Sequence, residues 1–308
     1  MKIIRGSRKL KDIRLLNPVI TLGNFDGVHK GHQKILKKVI KRAKEIGGVS
    51  VVYTFNPHPL NVLRPDKEPP KITTFEEKAT LIEEVGIDYL VCENFTTNFA
   101  KKTPEDFLKK IIYKRIKPEE IIIGHDYAFG KGRQGTVELL KKTGKELGFK
   151  VDIVSDIKIK NIPVRSTTIR NLISEGKVSL AQKLMGKYYC LSGKVVHGEQ
   201  RRIGFPTANL SHIKDLIPQK GVYAIYMETP HGRFKGAVNI GMNPTFGGNK
   251  LCIETHIFNF DENIYGKEIS IFFVKKIRGE KKFKDAESLA IQIKKDVSFI
   301  NRVLKEKL

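Results

Sequence analysis

The chain has 308 residues, 40% of them hydrophobic, which is enough for two ordinary folded domains and argues against a disordered protein. No stretch approaches the roughly 20 consecutive apolar residues of a membrane helix. The start, Met1-Lys2-Ile3-Ile4-Arg5, lacks the apolar core of a signal peptide, so a cytoplasmic protein without a membrane partner is expected. The formal charge of +24 invites a nucleic-acid reading. Two other readings compete with it. Lys34, Lys37, Lys38 and Lys41 interleave with Ile35, Leu36, Val39 and Ile40, as on the wet face of an amphipathic helix. Basic clefts also help capture small polyanions. Nucleic acid is therefore not expected as a specific partner. Cys92, Cys190 and Cys252 lie far apart and form no CxxC pair, which suggests neither a zinc knuckle nor a disulfide framework. Reduced, mostly buried thiols are expected.

Short apolar runs at 19–22, 49–55, 87–92, 121–123 and 151–154 read as buried strands. Segments 33–46, 75–85, 103–116 and 137–147 between them read as helices. In one of these Thr103 can cap, with Pro104 first and Glu105 and Asp106 in the opening turn. Such alternation predicts a parallel sheet covered on both faces, with ligands beyond the carboxyl ends of its strands.

Near residue 186 the pattern changes. Two short helices, 167–174 and 178–184, end at Gly186. Strand-like runs follow at 188–197, 221–229, 233–241, 252–259 and 267–276, parted by turns such as Pro230-His231-Gly232 and Asp261-Glu262-Asn263. They predict a small antiparallel β-barrel. Residues 285–308 form an amphipathic helix, with Leu289, Ile293, Val297 and Ile300 near one face. The expected division is 1–185 and 186–308.

The first strand runs into Gly23-Asn24-Phe25-Asp26-Gly27-Val28-His29-Lys30-Gly31-His32, and a helix follows. Gly27 and Gly31 let phosphate approach the backbone, and the free amides of a helix start favour an anion. His29 and His32 can donate to oxygens that gain charge in a transition state. Two histidines do not complete a zinc site, and no third ligand stands at a convincing spacing. Three more polar loops gather at the same sheet edge: Thr54-Phe55-Asn56-Pro57-His58-Pro59, the run from Gly124-His125-Asp126 through Arg133 to Gly135, and Arg165-Ser166-Thr167-Thr168-Ile169-Arg170.

These residues closely resemble the FMN adenylyltransferase domain of bacterial bifunctional riboflavin kinase/FAD synthetases, a Rossmann-like member of the HxGH nucleotidyltransferases. The resemblance implies that Gly23, Phe25, Asp26, Gly27, His29, His32, Asp126 and Arg133 attend ATP. It also implies that Ser166, Thr167 and Arg170 contact phosphates, and that Asn56, Pro57 and His58 line the flavin side. Where the family often has Ser, this chain has Arg165, read as an extra phosphate contact or a solvated side chain. The phosphate of FMN is already ionised at neutral pH, so the reaction needs positioning and charge neutralisation, with Mg²⁺, rather than a general base.

The second half has no GxxxxGK[ST], which excludes a Walker-type kinase. It carries Gly193-Lys194-Val195-Val196-His197-Gly198, Gly204-Phe205-Pro206-Thr207-Ala208-Asn209, Gly221-Val222-Tyr223, Asn239-Ile240-Gly241, Ile253-Glu254-Thr255-His256 and Ile277-Arg278-Gly279 in order. This series resembles riboflavin kinase. By that resemblance Gly193, Lys194, Thr207 and Asn209 hold ATP, Thr207 and Asn209 bind Mg²⁺, and Gly221, Val222, Tyr223 and Arg278 border the flavin. Glu254 would be the general base, which a neutral hydroxyl needs; it stands alone in an apolar strand. Only Glu199–Ile203 separate Gly198 from Gly204, fewer residues than the family usually has. The expected small-molecule partners are riboflavin, FMN, FAD and ATP.

Overall fold

Six parallel strands build one sheet in the order β1-β4-β3-β2-β5-β6: β1 (Lys2–Arg5), β2 (Val19–Leu22), β3 (Ser50–Phe55), β4 (Tyr89–Glu93), β5 (Glu120–Gly124) and β6 (Lys150–Val154). The structure, a computed structural model, describes residues 1–196, 208–212, 214–243, 250–281 and 283–305. By backbone contacts the chain divides into two units, Met1–Ser166 and Thr167–Leu308.

All four residues of β2 are buried, as a strand covered on both faces requires. Alternate side chains feed two cores. Ile20, Leu22, Val51, Tyr53, Ile121 and Ile123 pack with Phe107, Ile111 and Leu140. Val19, Val52, Leu90 and Ile122 pack with Leu36, Val39, Ala79 and Ile82. Each fully buried aliphatic side chain contributes about 1.5–3 kcal/mol.

Local signals end the helices where the sequence predicts. Helix Phe75–Val85 starts with a capping box between Thr74 and Glu77 and stops at Gly86, whose φ is 101°. Helix Val137–Leu147 is capped by Thr136 and stopped by Gly148. Two features depart from expectation. The helix expected over 103–116 opens with the Thr103 cap but passes through a π-helical stretch, Phe107–Tyr113, which sets Phe107, Leu108, Ile111 and Ile112 all into the core. The edge strand β1 was not expected; it is four residues long and gains its partner only by pairing with β4.

Because β2 lies between β3 and β5, the chain reverses its direction of travel across the sheet at β2. A crevice opens beyond the carboxyl ends of strands at such a point. After β6 comes a small hairpin, β7 (Lys158–Ile159) with β8 (Ile162–Pro163).

In the second unit, helix Val178–Met185 is tied to the barrel by a hydrogen bond from Ser179 Oγ to the Val274 carbonyl, 2.7 Å. The contact boundary thus falls ahead of the 185/186 division suggested by periodicity. Six antiparallel strands close into a barrel: β9 (Tyr189–Val196), β10 (Ala208–His212), β11 (Gly221–Thr229), β12 (Gly232–Asn243), β13 (Lys250–Ile257) and β14 (Glu268–Arg278). Tyr189, Tyr223 and Phe273 are fully buried and fill it, with Tyr223 edge-on to Phe273 at 5.4 Å. Strand β10 was not expected, since its sequence lacks β-branched residues; pairing with β9 and β13 defines it. The closing helix, Ala286–Lys305, packs Ile300, Val303 and Leu304 on Ala224, Tyr226 and Val274.

Candidate active sites

In the first unit, the turn after β2 is built against local preference. Phe25 has φ 52° and Val28 φ 39°, a region that non-glycine residues, β-branched ones above all, rarely adopt. Gly27 has φ 82°, and a Cβ on Gly31 would press on the His29 ring at 3.1 Å and on the Val164 carbonyl at 3.2 Å. A side chain at position 31 would therefore have to push the His29 ring and the Val164 carbonyl apart by a few tenths of an ångström. Helix Lys30–Glu45 starts earlier than expected because His29 is its N-cap; Nδ1 accepts from the His32 amide at 3.3 Å. A neutral His29 then carries its proton on Nε2 as a donor. His29 is 4% exposed, and its ring stacks on His32 with centroids 3.6 Å apart.

Asp26 holds this turn. Its carboxylate accepts from the amides of Ile72 and Thr73 at 3.1 and 3.0 Å and from the Thr73 hydroxyl at 3.0 Å. The Gly27 amide donates to Thr73 Oγ1 at 3.0 Å, and Ser166 Oγ to the Asp26 carbonyl at 3.0 Å. Thr73 and Ser166 thus lock the turn from two sides. Thr73 was not singled out from the sequence, because an isolated threonine before a helix carries no signal of a partner 46 residues away.

The second loop rises from β3. Asn56 is exposed, and its amide donates to the Glu93 carbonyl at 3.0 Å. Pro57 follows a cis peptide. His58 Nδ1 accepts from the Leu60 amide at 3.2 Å, capping helix Pro59–Leu63, while Nε2 lies 3.2 Å from the Asn24 side-chain amide. Beside this loop, Phe55, Phe95 and Phe99 form a trio of rings 5.3–5.7 Å apart. Phe107, Phe129 and Tyr127 continue it. Sequence reading missed this aromatic floor because its rings come from separate segments.

After β5, Asp126 and Arg133 are exposed. Arg165 is exposed, as a solvated side chain would be, and it is paired: Nη2 and Nε lie 2.5 and 3.2 Å from Asp156 Oδ2. That pairing raises its pKa further. His125 Nδ1 meets the other Asp156 oxygen at 3.1 Å. Thr167 and Arg170 belong to the second unit by contacts.

In the barrel, the register sets Glu254 of β13 opposite Asn209 of β10 on one side and Asn239 of β12 on the other. Glu254 is half-buried and does not stand alone: the Cys252 thiol is 3.9 Å from its Oε1 and 2.8 Å from Asn209 Oδ1. Cys252 was missed, and Asn239 was noted only within its motif, since only cross-strand register brings them to the acid. All three cysteines are free, but Cys92 alone is fully buried. Gly193 lies buried in β9, and Lys194 beside it is exposed. Thr207 and the short loop at 199–203 lie outside the described residues.

Gly221 has φ 141°, and a Cβ there would strike the Arg278 carbonyl at 2.4 Å, so β11 and β14 need glycine to meet. Val222 and Tyr223 are buried, and the Tyr223 hydroxyl donates to the Gln219 carbonyl. Burial raises the pKa of that hydroxyl. Arg278 Nε and Nη2 both sit 2.9 Å from Asp296 Oδ2 on the closing helix. A cavity of about 620 Å³ opens beside them, lined by Ile217, Pro218, Lys220, Leu251, Lys276 and Gly279. Burial lowers the pKa of Lys276. Among the described residues no cluster of three or more His, Cys, Asp or Glu could hold a metal ion.

A family model described as FAD synthetase matches residues 13–168, and one described as riboflavin kinase matches residues 185–304. The bifunctional riboflavin kinase/FMN adenylyltransferase of Buchnera aphidicola subsp. Schizaphis graminum is 38% identical over 98% of each chain. Its counterpart in Escherichia coli (strain K12) is 35% identical over 96% of each. A solved structure described as a macrolide-efflux protein from Streptococcus pneumoniae superposes with a TM-score of 0.85 at 32% identity, covering 98% of this chain and 99% of that one. Among the described residues of the present chain, no helix is long and apolar enough to cross a membrane. With both models matched in order and curated relatives aligned almost end to end, this chain belongs to the bifunctional riboflavin kinase/FMN adenylyltransferase family.

Proposed function

We propose that the chain makes both flavin cofactors from riboflavin, with adenylyl transfer in residues 1–185 and phosphorylation in residues 186–308. One observation supports this above the rest. A single chain combines stacked histidines at the reversal point of a parallel sheet with an Asn209–Glu254 register pair on a closed barrel.

For adenylyl transfer, ATP lies over the turn at 23–32, with Gly23, Phe25, Gly27, His29 and His32 against its phosphates and Asp126 and Arg133 at the rim. Asp26 and Ser166 hold the turn itself, and Thr167 and Arg170 serve the phosphates. The isoalloxazine of FMN stacks on the aromatic floor beside Asn56, Pro57 and His58. A phosphate oxygen of FMN attacks the α-phosphorus of ATP; the bond to the bridging oxygen breaks, and pyrophosphate leaves. Imidazole donors stabilise the charge that develops on the leaving group.

For phosphorylation, Glu254 takes the proton of the ribityl 5′-hydroxyl as that oxygen bonds to the γ-phosphorus and ADP departs. Asn209 brings a hard oxygen next to this carboxylate, the donor type that Mg²⁺ prefers. Asn209 and Thr207 would hold the ion, which neutralises phosphate charge when bound. Gly193 and Lys194 attend the nucleotide. Gly221, Val222, Tyr223 and Arg278 border the flavin, with Arg278 acting through its anchor on Asp296.

The test is incubation of the full chain with riboflavin, ATP and Mg²⁺, followed by chromatographic separation. FMN and then FAD are expected. Riboflavin that stays unchanged defeats the kinase assignment, and FMN that never becomes FAD defeats the other.

A further inference from the structure

Lys78 occupies a position where charge is costly. Helix Phe75–Val85 turns it inward beside Ala79 and Ile82, leaving 9% of it exposed. Its Nζ donates to the Asn24 carbonyl at 3.1 Å and to Thr54 Oγ1 at 3.2 Å, and it lies 5.7 Å from the Phe75 ring centre. The Thr54 hydroxyl reaches the same carbonyl at 3.3 Å. Among the described residues no carboxylate forms an ion pair with it. The charged or titratable groups that act on it are Asp26, whose oxygens are engaged by Ile72 and Thr73, together with Lys71 and Cys92. Arg5 covers the Phe75 ring at 5.1 Å. A buried ammonium without a direct ion-pair partner is expensive unless something recovers the cost.

Its two acceptors are the joints of the two substrate loops. Asn24 precedes Phe25, the first left-handed residue of the turn. The Asn24 side chain also meets His58, which caps helix Pro59–Leu63. Thr54 stands two residues before Asn56 at the end of β3. One ammonium therefore supports both loops from below.

We propose that Lys78 is a positioning residue for adenylyl transfer: its ammonium clamps Asn24 and Thr54 so that the two loops hold their phosphorylated substrates in line. The positive charge, which no ion pair neutralises directly, also favours two polyanions above it. This rests on reading the turn at 23–32 as the ATP loop. Burial lowers the Lys78 pKa below the ordinary lysine value, so the charge that strengthens the clamp is lost as pH rises through that lowered value. Burial pushes the neighbouring Cys92 thiol up.

The test uses the full chain with Lys78→Met, Lys78→Arg and the double variant His29→Ala/His32→Ala, each assayed for both half-reactions across pH. Lys78→Met should form FMN from riboflavin at the wild-type rate, and native circular dichroism with a wild-type thermal midpoint for the first unit reports its folding. Its kcat/KM for FAD formation from FMN should fall roughly 10- to 100-fold. Lys78→Arg should recover most of that loss. It should also move the alkaline limb of FAD synthesis upward, because a guanidinium keeps its proton to above about pH 12. Wild-type FAD synthesis in Lys78→Met overturns the proposal. So does a Lys78→Arg variant as impaired as Lys78→Met, or one with an unmoved alkaline limb. Loss in the double histidine variant alone removes only the role of Lys78, whereas no loss in either removes the reading of the turn itself.

Discussion

The imidazoles of His29 and His32 stack with their centroids 3.6 Å apart and their planes 17° apart, and the edge of Phe25 meets His32 at 5.2 Å. Stacking fixes both rings before substrate arrives, so their N–H groups need no reorganisation during the reaction. The double change to Ala should lower FAD formation from FMN by roughly 100-fold or more. FMN formation from riboflavin should stay near wild type. Parallel assays on one preparation decide the matter, and unchanged FAD synthesis would refute the assignment.

Glu254 separates the two chemistries. Riboflavin offers a neutral hydroxyl, while FMN offers an ionised phosphate. Glu254→Gln keeps the size of the side chain and its contact with Cys252, but removes the base. FMN formation should drop about 100- to 10,000-fold, with adenylylation of supplied FMN unaffected. If neither half-reaction changes in a variant with native circular dichroism, the base lies elsewhere.

Asp26 accepts three hydrogen bonds from Ile72 and Thr73. Asp26→Asn turns one acceptor oxygen into a donor that faces backbone amides. The first unit should lose about 1–3 kcal/mol of stability, measured by urea unfolding with FAD synthesis as the probe. A midpoint equal to wild type would show that the latch carries no weight.

Arg278 and Asp296 form a largely buried ion pair, with Asp296 only 6% exposed and Gln292 donating to its other oxygen at 2.9 Å. Arg278→Met strands that carboxylate and should cost about 3–5 kcal/mol. Asp296→Asn alone should also destabilise, and the double variant should lose less than the two single losses added together. Strict additivity in denaturant unfolding would mean that the pair does not couple the closing helix to β14.

The turn proposed for adenylyl transfer was legible because its residues are close in sequence. The turn from Gly23 to His32 carries its own glycines, histidines and following helix, so strand, turn and chemistry read as one unit. Thr73 and Lys78 were not legible. Each touches the turn only through long-range contacts, Thr73 from just ahead of helix Phe75–Val85 and Lys78 from within it, in a segment that reads as ordinary amphipathic helix. The partner of Arg165 was not legible for a related reason: Asp156, nine residues earlier, meets it only across the β7–β8 hairpin.

Periodicity and capping residues by themselves determined the strand–helix alternation of the first half, the strand-rich second half and most element ends. Those depend on interactions within a few residues of chain: the Thr74–Glu77 box, the glycine stops at Gly86 and Gly148, and the alternation that buries β2 on both faces. Tertiary structure alone decided which strands are neighbours, and with them the reversal at β2, the edge strand β1, the short strand β10 and the meeting of Asn209, Cys252 and Glu254. Strand pairing is a contact between distant segments, chosen by the burial and hydrogen bonding of the whole sheet or barrel, and no local pattern encodes it.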